Sequence, residues 1–121
     1  MNSVKKLDLL EKTLSKLAGK TILVEGKKDK LALEKLVDAK IETAVGKPFQ
    51  VINKLSSKKV VLLFDFDEEG KRKTSFFKQF LEENGFSVDT SIALRLRSCL
   101  GFLYVEDAYV KYEKLLGEKN G

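Results

Sequence analysis

The stretch VVLLFDFDEEGKRK at positions 60–73 constrains this chain more than any other. Five apolar residues run without a break into Asp65, Asp67, Glu68 and Glu69, then Gly70, then Lys71, Arg72 and Lys73. An uninterrupted β-branched, aliphatic and aromatic run bounded by charge is the pattern of a strand buried on both faces. The acids then stand just past its carboxyl end, the edge at which open α/β sheets place ligands. In extended backbone, residues two apart point the same way, so the Asp65 and Asp67 carboxylates face together. Two carboxylates about 4 Å apart repel by roughly 4 kcal/mol at an effective dielectric near 20. A hard divalent ion removes that cost. Magnesium is suited to it, since it takes one or two carboxylates and leaves its other positions to water or phosphate. A solvated acidic turn closing a strand is the plainer account of the same residues.

The rest of the chain alternates helical and extended patterns. Val4, Leu7, Leu10, Leu14 and Leu17 recur at helical steps and predict an N-terminal helix. Thr21 to Val24 reads as a short buried strand that also ends on an acid, in Glu25-Gly26-Lys27-Lys28-Asp29. Residues 28–39 return to helical spacing, with Asp29 as an acid of the helix start. Residues 41–45 read as a strand, Gly46-Lys47-Pro48 as a turn and 49–55 as a brief helix. A long helix is expected over 71–84, burying Phe76, Phe77, Phe80 and Leu81, with the three cations in its first turn. That placement is disfavoured by the helix dipole unless an anion compensates. A strand at 86–90, a helix over 91–100 capped by Gly101 and a last helix over 106–116 complete the order.

This order predicts a three-layer α/β fold, with a mainly parallel four-stranded sheet flanked by helices. The expected organisation is an N-terminal helix over 1–18, one domain over 19–116 and a frayed end over 117–121. With 121 residues the chain forms one core. It has no histidine, which removes Ser-His-Asp and Cys-His catalysis and the familiar zinc sets. The single cysteine, Cys99, lies among apolar residues and reads as core. The net charge of +5 agrees with a polyanionic partner. No segment has the length and apolarity of a membrane span, and a cytoplasmic location is expected.

The two strand-acid segments, Val24-Glu25-Gly26-Lys27-Lys28-Asp29 and Phe64-Asp65-Phe66-Asp67-Glu68-Glu69-Gly70, together resemble the Toprim domain. That domain is shared by primases, type IA and II topoisomerases, certain nucleases and the ribonuclease that matures 5S ribosomal RNA. The resemblance covers about residues 20 to 90 and is strongest to small free-standing Toprim proteins and that ribonuclease. Gly46 in the second loop and the later Val105-Glu106-Asp107-Ala108 fit it as well. It implies a Rossmann-like Toprim fold with the N-terminal helix as an addition. It also implies Glu25 as general acid or base, and Asp65, Asp67 and Glu25 as ligands of Mg2+, with Mn2+ as an alternative ion. Glu69 stands where some members place a third aspartate, which makes it a secondary ligand candidate.

Lys27, Lys47, Lys71 and Arg72 are the candidate phosphate contacts. No sequence feature reads bases. Two functional readings follow: a magnesium-dependent, nuclease-like phosphodiesterase acting on nucleic acid, RNA favoured, or a non-catalytic module that binds structured RNA, with ribosomal RNA or the ribosome among its targets. The chain lacks the additional region of the 5S-maturing ribonuclease, the tyrosine domain of topoisomerases and the zinc module of primases, so strand passage and primer synthesis are not expected of it alone.

Overall fold

The computed structural model describes residues 2–120. In chain order it contains α1 (Ser3–Leu17), β1 (Thr21–Val24), α2 (Lys27–Glu34), β2 (Lys40–Thr43), α3 (Pro48–Asn53), β3 (Lys59–Leu62), α4 (Glu68–Glu83), β4 (Ser87–Asp89), α5 (Ser91–Leu100), a 3-10 turn (Val105–Asp107) and α6 (Ala108–Asn120). The four strands form one sheet in the order β2-β1-β3-β4, with every neighbouring pair parallel. This is the three-layer α/β architecture expected from the alternation of patterns.

Side-chain alternation along the central strands divides the core in two. Ile22, Val24, Val61 and Leu63 point to one face, where they meet α1, α2, α5 and α6 through residues such as Leu10, Leu33, Leu96 and Leu115. Leu23, Val60, Leu62 and Phe64 point to the other, against Val51 of α3 and Phe77 and Leu81 of α4. The residues of both central strands that read as continuous apolar runs are therefore buried on both sides. α1 packs on α5 and α6 and contributes Leu7, Leu10 and Leu17 to the same core.

The strand order creates a switch point. The chain leaves β1 through α2 to reach β2 on one side, then crosses through α3 to β3 on the other side of β1. The carboxyl ends of β1 and β3 open onto the crevice between these two crossovers, the place where doubly wound sheets bind ligands.

Several expected boundaries shift. α4 begins at Glu68, because Asp67 caps it by accepting the Gly70 N–H at 2.7 Å. Glu68 and Glu69 thus occupy the first turn, where the dipole favours acids, and the three cations stand in the second turn. The dipole penalty expected for them does not arise. α2 stops at Glu34 and the chain turns, with the Leu36 and Val37 amides donating to the Leu33 carbonyl, before entering β2. Phe76 is 52% exposed instead of buried, since Phe77 and Leu81 take the sheet-facing positions of α4. α6 continues to Asn120, and the Ser3 hydroxyl donates to Glu118 across 3.2 Å where a frayed end was expected. Cys99 is buried in the core, and burial pushes its thiol pKa up.

Candidate metal and nucleic-acid site

The β1–β3 ladder continues one step beyond the strands, with the Leu63 amide donating to the Leu23 carbonyl at 2.9 Å. At the next step a side chain replaces the backbone: the Asp65 N–H donates to Glu25 Oε1 at 2.9 Å. Glu25 thereby satisfies a backbone amide just past β3 and is fixed to the neighbouring acidic loop. Its other oxygen, Oε2, accepts from Lys73 Nζ at 3.1 Å, and Lys73 also reaches Glu69 at 3.3 Å. These contacts with Glu25 and Glu69 raise the Lys73 pKa.

Asp65 is held from the opposite direction. Its Oδ1 accepts the Val105 N–H at 2.8 Å, and the Phe66 amide donates to the Leu103 carbonyl at 2.8 Å. The segment between α5 and α6 thus clamps the D-x-D loop across 40 residues of sequence. Burial pushes the Asp65 carboxyl up to about 6, and the charges of Asp29, Glu25 and Asp67 add to the effect against the opposing Val105 N–H.

Gly70 explains why the loop closes as it does. A Cβ at this position would lie 2.1 Å from the Asp65 carbonyl oxygen, so the first turn of α4 fits against the loop only with a bare α-carbon. Gly26 is different, its hypothetical Cβ meeting nothing nearer than Asp29 Oδ2 at 4.0 Å.

Asp29 is a larger part of the cluster than a helix-start acid. Its Oδ2 accepts the Gly26 N–H at 3.0 Å, yet the residue is only 8% exposed. Burial, with Glu25 and Glu106 adding like charge, raises its pKa. Asp29 stands at the third position of α2, three residues past Gly26, where an acid bonds back to the N-cap amide, and that position is the sequence signal for it. Lys73 was likewise absent from the predicted phosphate contacts. Its signal is the four-residue step from Glu69, which places both on one side of α4 once the helix starts at Glu68.

The remaining predicted residues are arranged around this centre. Lys71 is exposed on α4, with its ammonium 3.8 Å from Glu68. Arg72 is exposed on the same helix, Lys27 opens α2 and Lys47 precedes α3, all without an ion pair among the described residues. The structure therefore joins Glu25, Asp65 and Asp67 through backbone and charge, and leaves these cations as a rim.

Whether the acids suit a divalent ion is decided by their spare oxygens. Asp65 and Asp67 each use Oδ1 on a backbone amide and keep Oδ2 free of protein hydrogen bonds. Two such oxygens match what magnesium asks of a protein. Glu25 has both oxygens engaged, and no group of three or more acidic or thiol side chains among the described residues is arranged to hold an ion by itself. The donor set fits an ion that keeps water or phosphate as its other ligands.

Comparison with known proteins agrees with this geometry. A search of curated proteins found no match. A solved structure of a protein from Aquifex aeolicus is similar, with 31% identity and a TM-score of 0.68 over 84% of this chain and 95% of that one. The family model described as the Toprim domain matches residues 20–92, which span both acidic segments and all four strands. Membership in that family supports a metal-binding role in transactions with nucleic acid. With its switch-point acids, its D-x-D loop closed by Gly70 and this match over more than half its length, the chain belongs to the Toprim domain family.

Proposed function

We propose that this chain is a magnesium-dependent phosphodiesterase acting on nucleic acid, with RNA the favoured substrate. The observation that carries the reading is the Glu25–Asp65 junction: an ordered carboxylate beside a D-x-D pair that retains two free oxygens at a sheet switch point. Asp65 and Asp67 are the residues to hold Mg2+, with Mn2+ as the substitute ion. A bound divalent ion supplies positive charge that offsets the negative charge building on the phosphoryl oxygens. Lys73, held against Glu25 Oε2, sets positive charge beside the phosphate. Glu25 takes a proton from the attacking water as that oxygen bonds to phosphorus, and the phosphorus–oxygen bond to the leaving sugar breaks, its oxygen taking a proton from solvent. Lys27, Lys47, Lys71 and Arg72 serve the flanking phosphates by charge.

The test is cleavage of structured RNA by purified protein with magnesium. Wild type is expected to cut, and Glu25→Gln to lose about a hundredfold or more in rate by removal of the general base, with Asp65→Asn losing as much by removal of a metal ligand. No cleavage by wild type, or equal cleavage by both variants, ends this reading.

One observation favours a second reading, a structured-RNA or ribosome-binding module without turnover. Both Glu25 oxygens are committed, one to a backbone amide and one to Lys73. In that case RNA affinity is retained, and neither magnesium nor Glu25→Gln changes the RNA that is bound.

A further inference from the structure

β4 is short and pairs with β3 only as far as Val61, so the outer edge of β3 beyond that residue has no strand beside it. α4 and α5 frame the opening and leave a cavity of about 310 Å³ there. Leu62 and Phe64 form its floor, Thr74 and Ser75 of α4 one wall, and Ala93 and Leu94 of α5 the other. Asp65, Phe66, Lys71, Thr90 and Arg97 complete the lining. Arg97 is ordered in advance. Its Nε donates to the Phe102 carbonyl at 3.3 Å, and its guanidinium carbon lies 4.9 Å from the centroid of the Phe66 ring, the middle residue of the D-x-D loop.

This combination selects a narrow class of ligand. A carbon-lined slot gives no binding energy to a bare phosphate or sugar, and two cations at its lining give none to a neutral hydrocarbon. The volume stands at the low end of the roughly 300–1,000 Å³ typical of ligand clefts, which suits one flat heterocycle with its sugar. Hydroxyls of Ser75 and Thr90 are available to the edge of such a ring.

The geometry points to a binding site for one unstacked nucleoside 5′-phosphate unit, its base against Leu62, Phe64 and Leu94 and its phosphate on Lys71 and Arg97. The inference rests on the reading of the D-x-D loop as a phosphodiester site and specifies its substrate: a strand with an unpaired nucleotide next to the phosphate at Asp65. Unpaired bases are the part of RNA whose faces and edges proteins read. The site thus supplies the base discrimination that the phosphate-binding cations lack.

The test uses metal-free protein, so it does not depend on turnover. The probes are AMP, CMP, GMP and UMP, against ribose 5-phosphate and inorganic phosphate, followed by calorimetry. At least one mononucleotide is expected to bind about tenfold or more tightly than ribose 5-phosphate, the worth of roughly 1.4 kcal/mol from one stacked base. Ser75→Phe and Leu94→Trp plug the slot from opposite walls at exposed positions, Leu94 being 58% exposed. Each is expected to reduce mononucleotide affinity to that of ribose 5-phosphate with an unchanged melting temperature. A uridine tetranucleotide and its counterpart with one abasic ribose separate the two sources of the ligand. Weaker binding of the abasic strand assigns the slot to a nucleotide within a strand, and equal binding of both strands with UMP still bound assigns it to a free nucleotide. Mononucleotides binding no tighter than ribose 5-phosphate, or binding undiminished in both folded plug variants, would overturn the inference. RNA cleavage by wild type that binds no mononucleotide more tightly than ribose 5-phosphate would leave the phosphodiesterase reading standing and end this inference, while nucleotide binding by a protein that never cuts RNA would do the reverse.

Discussion

Glu25 accepts the backbone N–H of Asp65 at 2.9 Å, where the β1–β3 ladder runs out of carbonyls. A carboxylate that closes a sheet is also the one that family resemblance assigns to proton transfer. Removing it has a structural cost separate from any chemical one. Glu25→Ala strands a partly buried amide, while Lys73 keeps Glu69, and is expected to destabilise the fold by about 1–3 kcal/mol. Glu25→Gln keeps an oxygen acceptor at the amide and is expected to cost less than about 1 kcal/mol. Urea denaturation of the two variants checks this. Equal losses would mean that the contact with Asp65 contributes nothing distinct.

The contrast between two glycines is sharper. Gly70→Ala drives a Cβ against the Asp65 carbonyl group, backbone atoms that cannot swing aside as the end of a long side chain could. Overpacking of this kind costs about 1–3 kcal/mol, with more at rigid sites, so a loss of about 3 kcal/mol is expected. Gly26→Ala meets open space to 4.0 Å at an extended φ of −147° and is expected to cost no more than about 1 kcal/mol. Melting temperatures of the pair give the answer, and a Gly70→Ala protein as stable as Gly26→Ala would contradict the close approach.

Asp65 sets a pH dependence of definite sign. Burial raises its pKa from the ordinary 3.8 to about 6, so between those values the folded chain holds a proton that the unfolded chain releases. Its contribution to stability therefore falls as pH rises from about 4 to 6 and stays at its low value above that. Asp65→Asn keeps an acceptor for the Val105 amide and removes the charge. The variant is expected to melt higher than wild type at pH 7–8, with the gap closing toward pH 4. A gap of constant size across that range, measured by calorimetry in metal-free buffer, would contradict the buried-charge account.

Magnesium should reverse that ranking. An ion bound only by the folded state stabilises by about 2.7 kcal/mol at a hundred times its dissociation constant. Wild type at pH 8 is expected to gain melting temperature with added magnesium, and Asp65→Asn and Asp67→Asn to gain none. Glu25→Gln should retain the gain, because both Glu25 oxygens are engaged elsewhere. Loss of the gain in Glu25→Gln would place Glu25 among the ligands.

The cation rim is read through salt. Each phosphate contact contributes a slope of about 0.7–0.9 in log affinity against log salt. Replacing Lys71 and Arg72 together by Ala is expected to flatten the slope for RNA by about one to two units. An unchanged slope would remove this surface from the interface.

Local pattern was enough to read the sheet and its acidic edge. The apolar runs at 21–24 and 60–64 announced strands buried on both faces, and the acids after each run announced the carboxyl-end site, because burial period and strand termination are properties of adjacent residues. The start of α4 was missed for a reason equally local in scale. Asp67 serves as a cap, so the acids taken as loop are helix and the cations stand one turn further on.

Contacts between distant segments were decided only by the tertiary structure. Strand order makes β1 and β3 neighbours and so brings Glu25 to Asp65, while the phase of α4 swings Lys73 over Glu25. The loop after α5 returns to place the Val105 amide on Asp65, and the shortness of β4 opens the slot beside it. Sequence spacing records which residues share a strand or helix face. Which faces then meet depends on how the layers pack as a whole, and at this site that packing selects the partner of every carboxylate drawn from another segment.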